Sequence, residues 1–160
     1  MELSAYLLET LRQDGEFILY RGQHRSQGDT GLPSLLVLAP VSERPAPGSL
    51  RRMEHELALQ AELEPGWAVR PLALTQDQGR SLLLLEDPGG EPLDGLLGAP
   101  MEMGSCLRLA IRIATALGQV HQHGLVHKAL KPAHILVNHA TGSGYRSAAR
   151  SSRCTTAGCG

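Results

Sequence analysis

Aromatic side chains are scarce here: one Trp, three Tyr and one Phe, 3% of 160 residues. A core must therefore be built from Leu, Ala, Val and Ile, and the 42% hydrophobic content is enough for one domain or a large part of one. Cysteine is as sparse. Cys106, Cys154 and Cys159 give an odd count at irregular spacing, which excludes a disulfide framework and suits a reducing compartment. Cys154-x4-Cys159 lacks the second ligand pair of a zinc site. No apolar run approaches the ~20 residues that cross a bilayer. Glu2, Glu9 and Asp14 near the N-terminus replace the basic start of a secretory leader. The chain is expected to be soluble and cytoplasmic, with no membrane partner.

Lysine is nearly missing: Lys128 and Lys131 stand against 13 Arg. The net charge of −1 excludes a nucleic-acid binder held by phosphate neutralisation. Acids are missing from the C-terminal part. All 16 lie at or before Glu102, whereas residues 103–160 carry seven Lys or Arg and no Asp or Glu. The plain reading of that basic half is a solvated face or an unfinished domain, the alternative being a functional anion-binding surface.

Periodicity supplies the elements. Ser49 is placed to cap a helix over residues 50–64, with Leu50, Met53, Leu57 and Ala61 on one face before Pro65-Gly66. Ser105 is placed to cap a second helix to His123, in which Leu107, Ala110, Ile111, Ala114, Leu117 and His121 recur at helical spacing. Gly124 provides its left-handed end. Residues 16–20, 34–38, 69–74 and 81–85 read as strands, and the sequences at 28–31 and 76–79 as hairpin turns. The order is strand, strand, helix, strand, strand, long helix, strand-like loop, an α+β chain.

The most informative stretch is residues 120–138, Val-His-Gln-His-Gly-Leu-Val-His-Lys-Ala-Leu-Lys-Pro-Ala-His-Ile-Leu-Val-Asn. It resembles the catalytic loop of a protein kinase, H-R-D-L-x-x-x-N, where the Asp accepts the substrate hydroxyl proton and the Asn holds magnesium. His127, Leu130, Lys131 and Pro132 keep the frame. Ala129 stands at the Asp position and His134 at the Asn position. The order of elements over residues 6–140 is similar to a kinase small lobe followed by the first helices of its large lobe. The resemblance is nearest to bacterial Ser/Thr kinase domains that head large proteins with ATPase, GAF and histidine-kinase modules. It implies a small lobe at 6–87 (antiparallel sheet plus αC helix). It also implies hinge, long helix and catalytic-loop remnant at 88–140, the chain being truncated after the catalytic loop; the composition of residues 141–160 reads as a disordered low-complexity tail.

The same resemblance assigns the ATP-cleft positions. Residues 11–22, with Gly15 and Leu19, resemble the glycine-rich hairpin, yet Arg12, Asp14 and Phe17 stand at its three glycine positions. An acidic Asp14 there repels a triphosphate. The lysine that pairs nucleotide phosphates is replaced by Leu36 or Val37, so Glu56, at the αC glutamate position, is expected to face solvent without its usual partner. Leu85 falls at the gatekeeper and Glu86 begins the hinge; Pro88 stands where a backbone N–H donates to adenine, and it has none to give. The last Asp is Asp94, so the DFG motif is absent. The histidines His121, His123, His127, His134 and His139 raise a transition-metal alternative, but without a defined ligand geometry no metal is expected.

The family activity is ATP- and magnesium-dependent phosphorylation of protein hydroxyls. This chain is expected to be catalytically defective, a pseudokinase-like interaction module in signal transduction that binds no cofactor. The alternative is a working kinase fragment completed by a partner chain. The long helix carries more apolar surface than the remaining chain can cover. A protein partner or self-association is therefore expected, and a chain ending near Leu97 is expected to be better behaved.

Overall fold

The structure is a computed structural model that describes residues 3–25, 34–127, 130–138, 146–147 and 151–153. Five strands form one antiparallel sheet: β1 (Tyr6–Gln13), β2 (Phe17–His24), β3 (Leu35–Pro40), β4 (Pro71–Asp77) and β5 (Arg80–Glu86), in the order β1-β2-β3-β5-β4. All six residues of β3 are buried, which is why its sequence reads as a continuous apolar run rather than an alternation. Leu36 and Leu38 face one side, with Phe17, Leu19, Leu83 and Leu85. Leu35, Val37 and Ala39 face the other, with Leu82 and Leu84. The β4–β5 turn places Gln78 and Gly79 at φ of 48° and 79°, the positive pair of a tight hairpin whose twist matches its strands. The hairpin expected at residues 28–31 lies outside the described residues.

Helix α1 (Pro47–Ala58) starts three residues before the expected position and ends six earlier. Its N-cap is Ala46, without a side-chain hydrogen bond, and Pro47 begins the first turn. Ser49 is not the cap. Its hydroxyl donates instead to Glu16 Oε1 at 2.9 Å, tying the helix to the sheet. Beyond Ala58 the backbone tightens into i→i+3 turns, Leu59 N to Glu56 O and Gln60 N to Leu57 O. This redirects Leu59, Leu63 and Trp67 into a second core cluster. The buried face of α1 is Ser49, Met53 and Glu56, while Ala61 is exposed.

After β5 come β6 (Glu91–Pro92), the short α2 (Leu93–Leu96), α3 (Met103–Gln122), β7 (Leu125–His127), a 3-10 turn at Pro132–His134 and β8 (Ile135–Val137). Two further strands, β9 (Arg146–Ser147) and β10 (Ser151–Arg153), pair with β8 and β7 respectively; the rest of the expected tail lies outside the described residues. Glu102, not Ser105, caps α3. Its carboxylate accepts from Gly104 N and Ser105 N, both at 2.8 Å, and these bonds hold it below the usual carboxylate range. Gly124 ends the helix at φ +70°, as its sequence position implied.

One side of α3 is covered. Ala116 and Val120 are buried, with Leu109 and Ile113 packed beside them, in a core shared with Leu59, Leu63, Trp67, Ala68, Leu93, Leu125, Ile135 and Val137. The other side is bare: Met103 is 72% exposed, Leu107 56% and Ile111 65%. No helix among the described residues is long and apolar enough to cross a membrane. The five-stranded antiparallel sheet with its few helices is α+β and compatible with a kinase-like small lobe.

Candidate functional site

The aliphatic positions that the resemblance assigns to an ATP cleft lie where the α1 side of the sheet meets the segment Pro132–Val137, and there they form packed core. The sheet side of that core comes from β2, β3 and β5, where alternation sends Leu19, Leu36 and Leu85 to one side; their exposures are 0%, 0% and 1%. The other side is Leu136, 2% exposed, in the same buried cluster. The two sides therefore share one aliphatic core with Phe17, Leu38 and Met53. Of the two positions proposed for the missing lysine, Val37 belongs to the opposite face of the sheet and Leu36 to this one. Leu36 thus shares a buried cluster with Leu136.

Beside this apolar region sits a charged one, organised by the turn between β1 and β2. Asp14 Oδ1 accepts from Glu16 N at 3.1 Å and Phe17 N at 2.9 Å, and Asp14 N donates to Phe17 O at 2.9 Å. A carboxylate two or three residues before the N–H groups it caps is what makes this turn so tight. Asp14 Oδ2 faces three cationic or potentially cationic groups: Arg12 Nη1 at 3.0 Å, His134 Nε2 at 3.5 Å and Lys131 Nζ at 3.7 Å. Burial alone raises the Asp14 pKa. The N–H groups of Phe17 and Glu16, the Arg12 charge and the His134 hydrogen bond outweigh it, and the carboxyl is held well below its ordinary range. Arg12, with a side chain 6% exposed, is pushed down by burial, against the opposing pull of Asp14, Glu56 and Asp94.

Glu56 departs from expectation. It is 8% exposed rather than solvent-facing, because it lies on the buried Ser49–Met53–Glu56 stripe of α1. Its charge acts on Arg12. An arginine delivered by β1 thus supplies positive charge to the helix glutamate, where β3 has no lysine to give. Gly15 sits exposed at the turn tip with open space around it.

The connection after β5 is clamped. Asp87, with a side chain 1% exposed, accepts from Arg21 Nε at 2.8 Å, Arg21 Nη2 at 3.2 Å and Gly89 N at 2.9 Å. Arg21 Nη2 also donates to Gly90 O at 2.7 Å, and Asn138 Nδ2 donates to Pro88 O at 2.9 Å. Gly90 has φ +84°, and a Cβ there would lie 2.2 Å from Val137 O, so only glycine lets β6 pair with β8 at Glu91–Val137. Glu86 N donates to Arg70 O, and its side chain meets Arg70 Nη1 at 3.4 Å. The carbonyls of Pro88 and Gly90 are thus already engaged, and Pro88 has no N–H.

Of the catalytic-loop positions, Lys131 and His134 join the Asp14 cluster, His127 ends β7, and Ala129 lies outside the described residues. His123 is elsewhere, 5.1 Å from the Trp67 ring with Nδ1 2.8 Å from Gln119 O, and His139 lies outside the described residues. Among the described residues no three His, Cys, Asp or Glu side chains come together as a metal-ligand set. Sequence reasoning missed the inward arginine, the turn-forming role of Asp14 and the Arg21–Asp87 clamp. Only Asp14-x-x-Phe17 carried a local signal; Arg21 and Asp87 are 66 positions apart.

No protein-family model matches the chain. It is 29% identical over 92 residues, 57% of its length, to a serine/threonine-protein kinase of Myxococcus xanthus. It is 26% identical over 138 residues, 84% of its length, to a serine/threonine-protein kinase of Drosophila yakuba. The chain spans only 11% and 18% of the length of these relatives. Together with the α+β order of elements, these partial similarities indicate a Ser/Thr-kinase-like relationship.

Proposed function

We propose that this chain is a kinase-like module that transfers no phosphate and acts through contacts with other protein surfaces. The observation that carries the reading is the packing at the positions of the family's ATP cleft: Leu36 joins Leu19, Leu85 and Leu136 in one buried cluster, while Asp14 pairs with Arg12, Lys131 and His134. Phosphoryl transfer depends on positioning and charge neutralisation. With Ala129 at the proton-accepting position and imidazole in place of an oxygen ligand for magnesium, neither requirement is met. Neither ATP nor magnesium is a cofactor of this chain.

Radiolabelled ATP with magnesium is expected to give no phosphate transfer to a generic basic protein or to the chain itself. Ala129→Asp alone is expected to restore none, because the metal site stays incomplete. Label incorporation that scales with purified chain would overturn the reading and favour a working kinase fragment.

The bare side of α3 is the contact surface in this reading. Met103, Leu107 and Ile111 recur on one face with Arg108 and Arg112 exposed beside them, a patch suited to another protein or to a second copy. The full chain is expected to elute from size exclusion as concentration-dependent oligomers. Ile111→Glu, at 65% exposure, is expected to shift it toward monomer at a stability cost within about 0.5 kcal/mol. A sharp monomer peak for the unmodified chain at every concentration would remove α3 as an interface.

A further inference from the structure

Asp14 divides its two oxygens between different tasks. Oδ1 closes the β1–β2 turn through Glu16 N and Phe17 N. Oδ2 contributes nothing to that turn and points to Arg12 Nη1, His134 Nε2 and Lys131 Nζ at 3.0, 3.5 and 3.7 Å. Three nitrogen groups from two distant segments converging on one oxygen is the arrangement of an anion site. Two of them are almost removed from water, with side-chain exposures of 6% for Arg12 and 4% for His134. A buried guanidinium requires a counter-charge, since its desolvation is otherwise uncompensated. Arg12 Nε is also buried and finds no hydrogen-bond acceptor among the described residues, so the site holds a donor that the carboxylate does not use.

We propose that Arg12, Lys131 and His134 form an anion site occupied internally by the Asp14 carboxylate, and that removing this charge opens the site to a phosphate-type anion. The inference rests on the reading of the cleft given above and deepens it: the chain carries its own occupant where a phosphate would bind. A carboxylate has one acceptor oxygen to spare here, whereas a phosphate group offers three and larger charge, matching the fork of Arg12 and the point charge of Lys131. Glu56 and Asp94 also favour the charged form of Arg12, so its positive charge does not depend on Asp14 alone.

Asp14→Asn is the informative variant, because the amide oxygen still accepts from Glu16 N and Phe17 N while the charge is gone. Thermal melting with inorganic pyrophosphate is expected to leave the unmodified chain unshifted. Asp14→Asn is expected to rise saturably, by about 3–6 °C at a tenfold excess over Kd. Adding Lys131→Gln to Asp14→Asn is expected to weaken pyrophosphate about fivefold, the modest effect of a half-exposed cation. A tripolyphosphate and ATP, both without magnesium, separate inorganic from nucleotide anions. ATP is expected to bind no more than about threefold tighter, since Leu19, Leu36 and Leu136 already pack together.

A folded Asp14→Asn chain without a pyrophosphate shift would overturn the proposal, as would an equal shift in the unmodified chain or an unaltered Kd in the Lys131→Gln combination. Asp14→Ser, which keeps a turn-capping oxygen, replaces Asp14→Asn if the latter does not fold. Failure of both to fold would also overturn it, making the carboxylate a structural requirement rather than an exchangeable occupant. Phosphate transfer by the unmodified chain bears on its function reading and leaves this binding measurement to be decided on its own.

Discussion

Arg21→Met is expected to destabilise the chain by about 3–5 kcal/mol, the cost of stranding one partner of a buried ion pair. Asp87 is 1% exposed and receives two of its three hydrogen bonds from this guanidinium. Met fills the volume of the side-chain stem but leaves the carboxylate with Gly89 N alone and deprives Gly90 O of its donor. A buried anion cannot recover hydration as a surface one does. The double variant Arg21→Met/Asp87→Asn is expected to regain much of the loss, because an amide is far cheaper to bury than a carboxylate. Urea denaturation of the two variants measures this directly. A single-variant loss below about 1 kcal/mol would show that water reaches Asp87, which excludes the clamp.

Ending the chain near Leu97 is expected to abolish cooperative unfolding, the reverse of what the sequence suggested. Counted as exposed surface, α3 looked like a liability whose removal would help. The structure gives its other side a task. Ala116 and Val120, with Leu125, Ile135 and Val137, cover Leu59, Leu63, Trp67, Ala68 and Leu93. Removal uncovers a Trp and several Leu at once and takes Leu136 out of the first core. Each large apolar side chain returned to water costs about 1.5–3 kcal/mol, and the total exceeds the stability of an ordinary domain. Far- and near-ultraviolet circular dichroism through a thermal scan would show it. A sigmoidal melt with retained near-ultraviolet signal in the shortened chain would mean that the sheet and α1 fold independently.

Local patterns determined a good deal. The approximate places of β2 to β5, the glycine that ends α3 and the tight turn at Gln78-Gly79 follow from periodicity and from residues that tolerate positive φ, whereas β1 and the order of strands in the sheet do not. The catalytic-loop frame could be noticed in the sequence because its spacing is short, while the two partial similarities support a Ser/Thr-kinase-like relationship and nothing finer. Helix starts were less legible. Ser49 and Ser105 are good caps by propensity, but Pro47 extends one helix forward and the Glu102 carboxylate reaches two N–H groups of the other. Propensity decides such matters only where tertiary contacts are indifferent, and Ser49 had a better partner in Glu16.

The rest belonged to the tertiary structure. A glutamate on a helix without its lysine reads as a surface residue, yet the rotation of α1 against the sheet buries Glu56 and brings the Arg12 charge to bear on it. An acid in place of glycine reads as a repulsive defect, yet Asp14 folds back on its own turn and meets side chains 120 positions away. Such pairings depend on how strands and turns from opposite ends of the chain converge. Sequence spacing records residue chemistry and local period; it does not record which distant charges come to share one partly buried cluster.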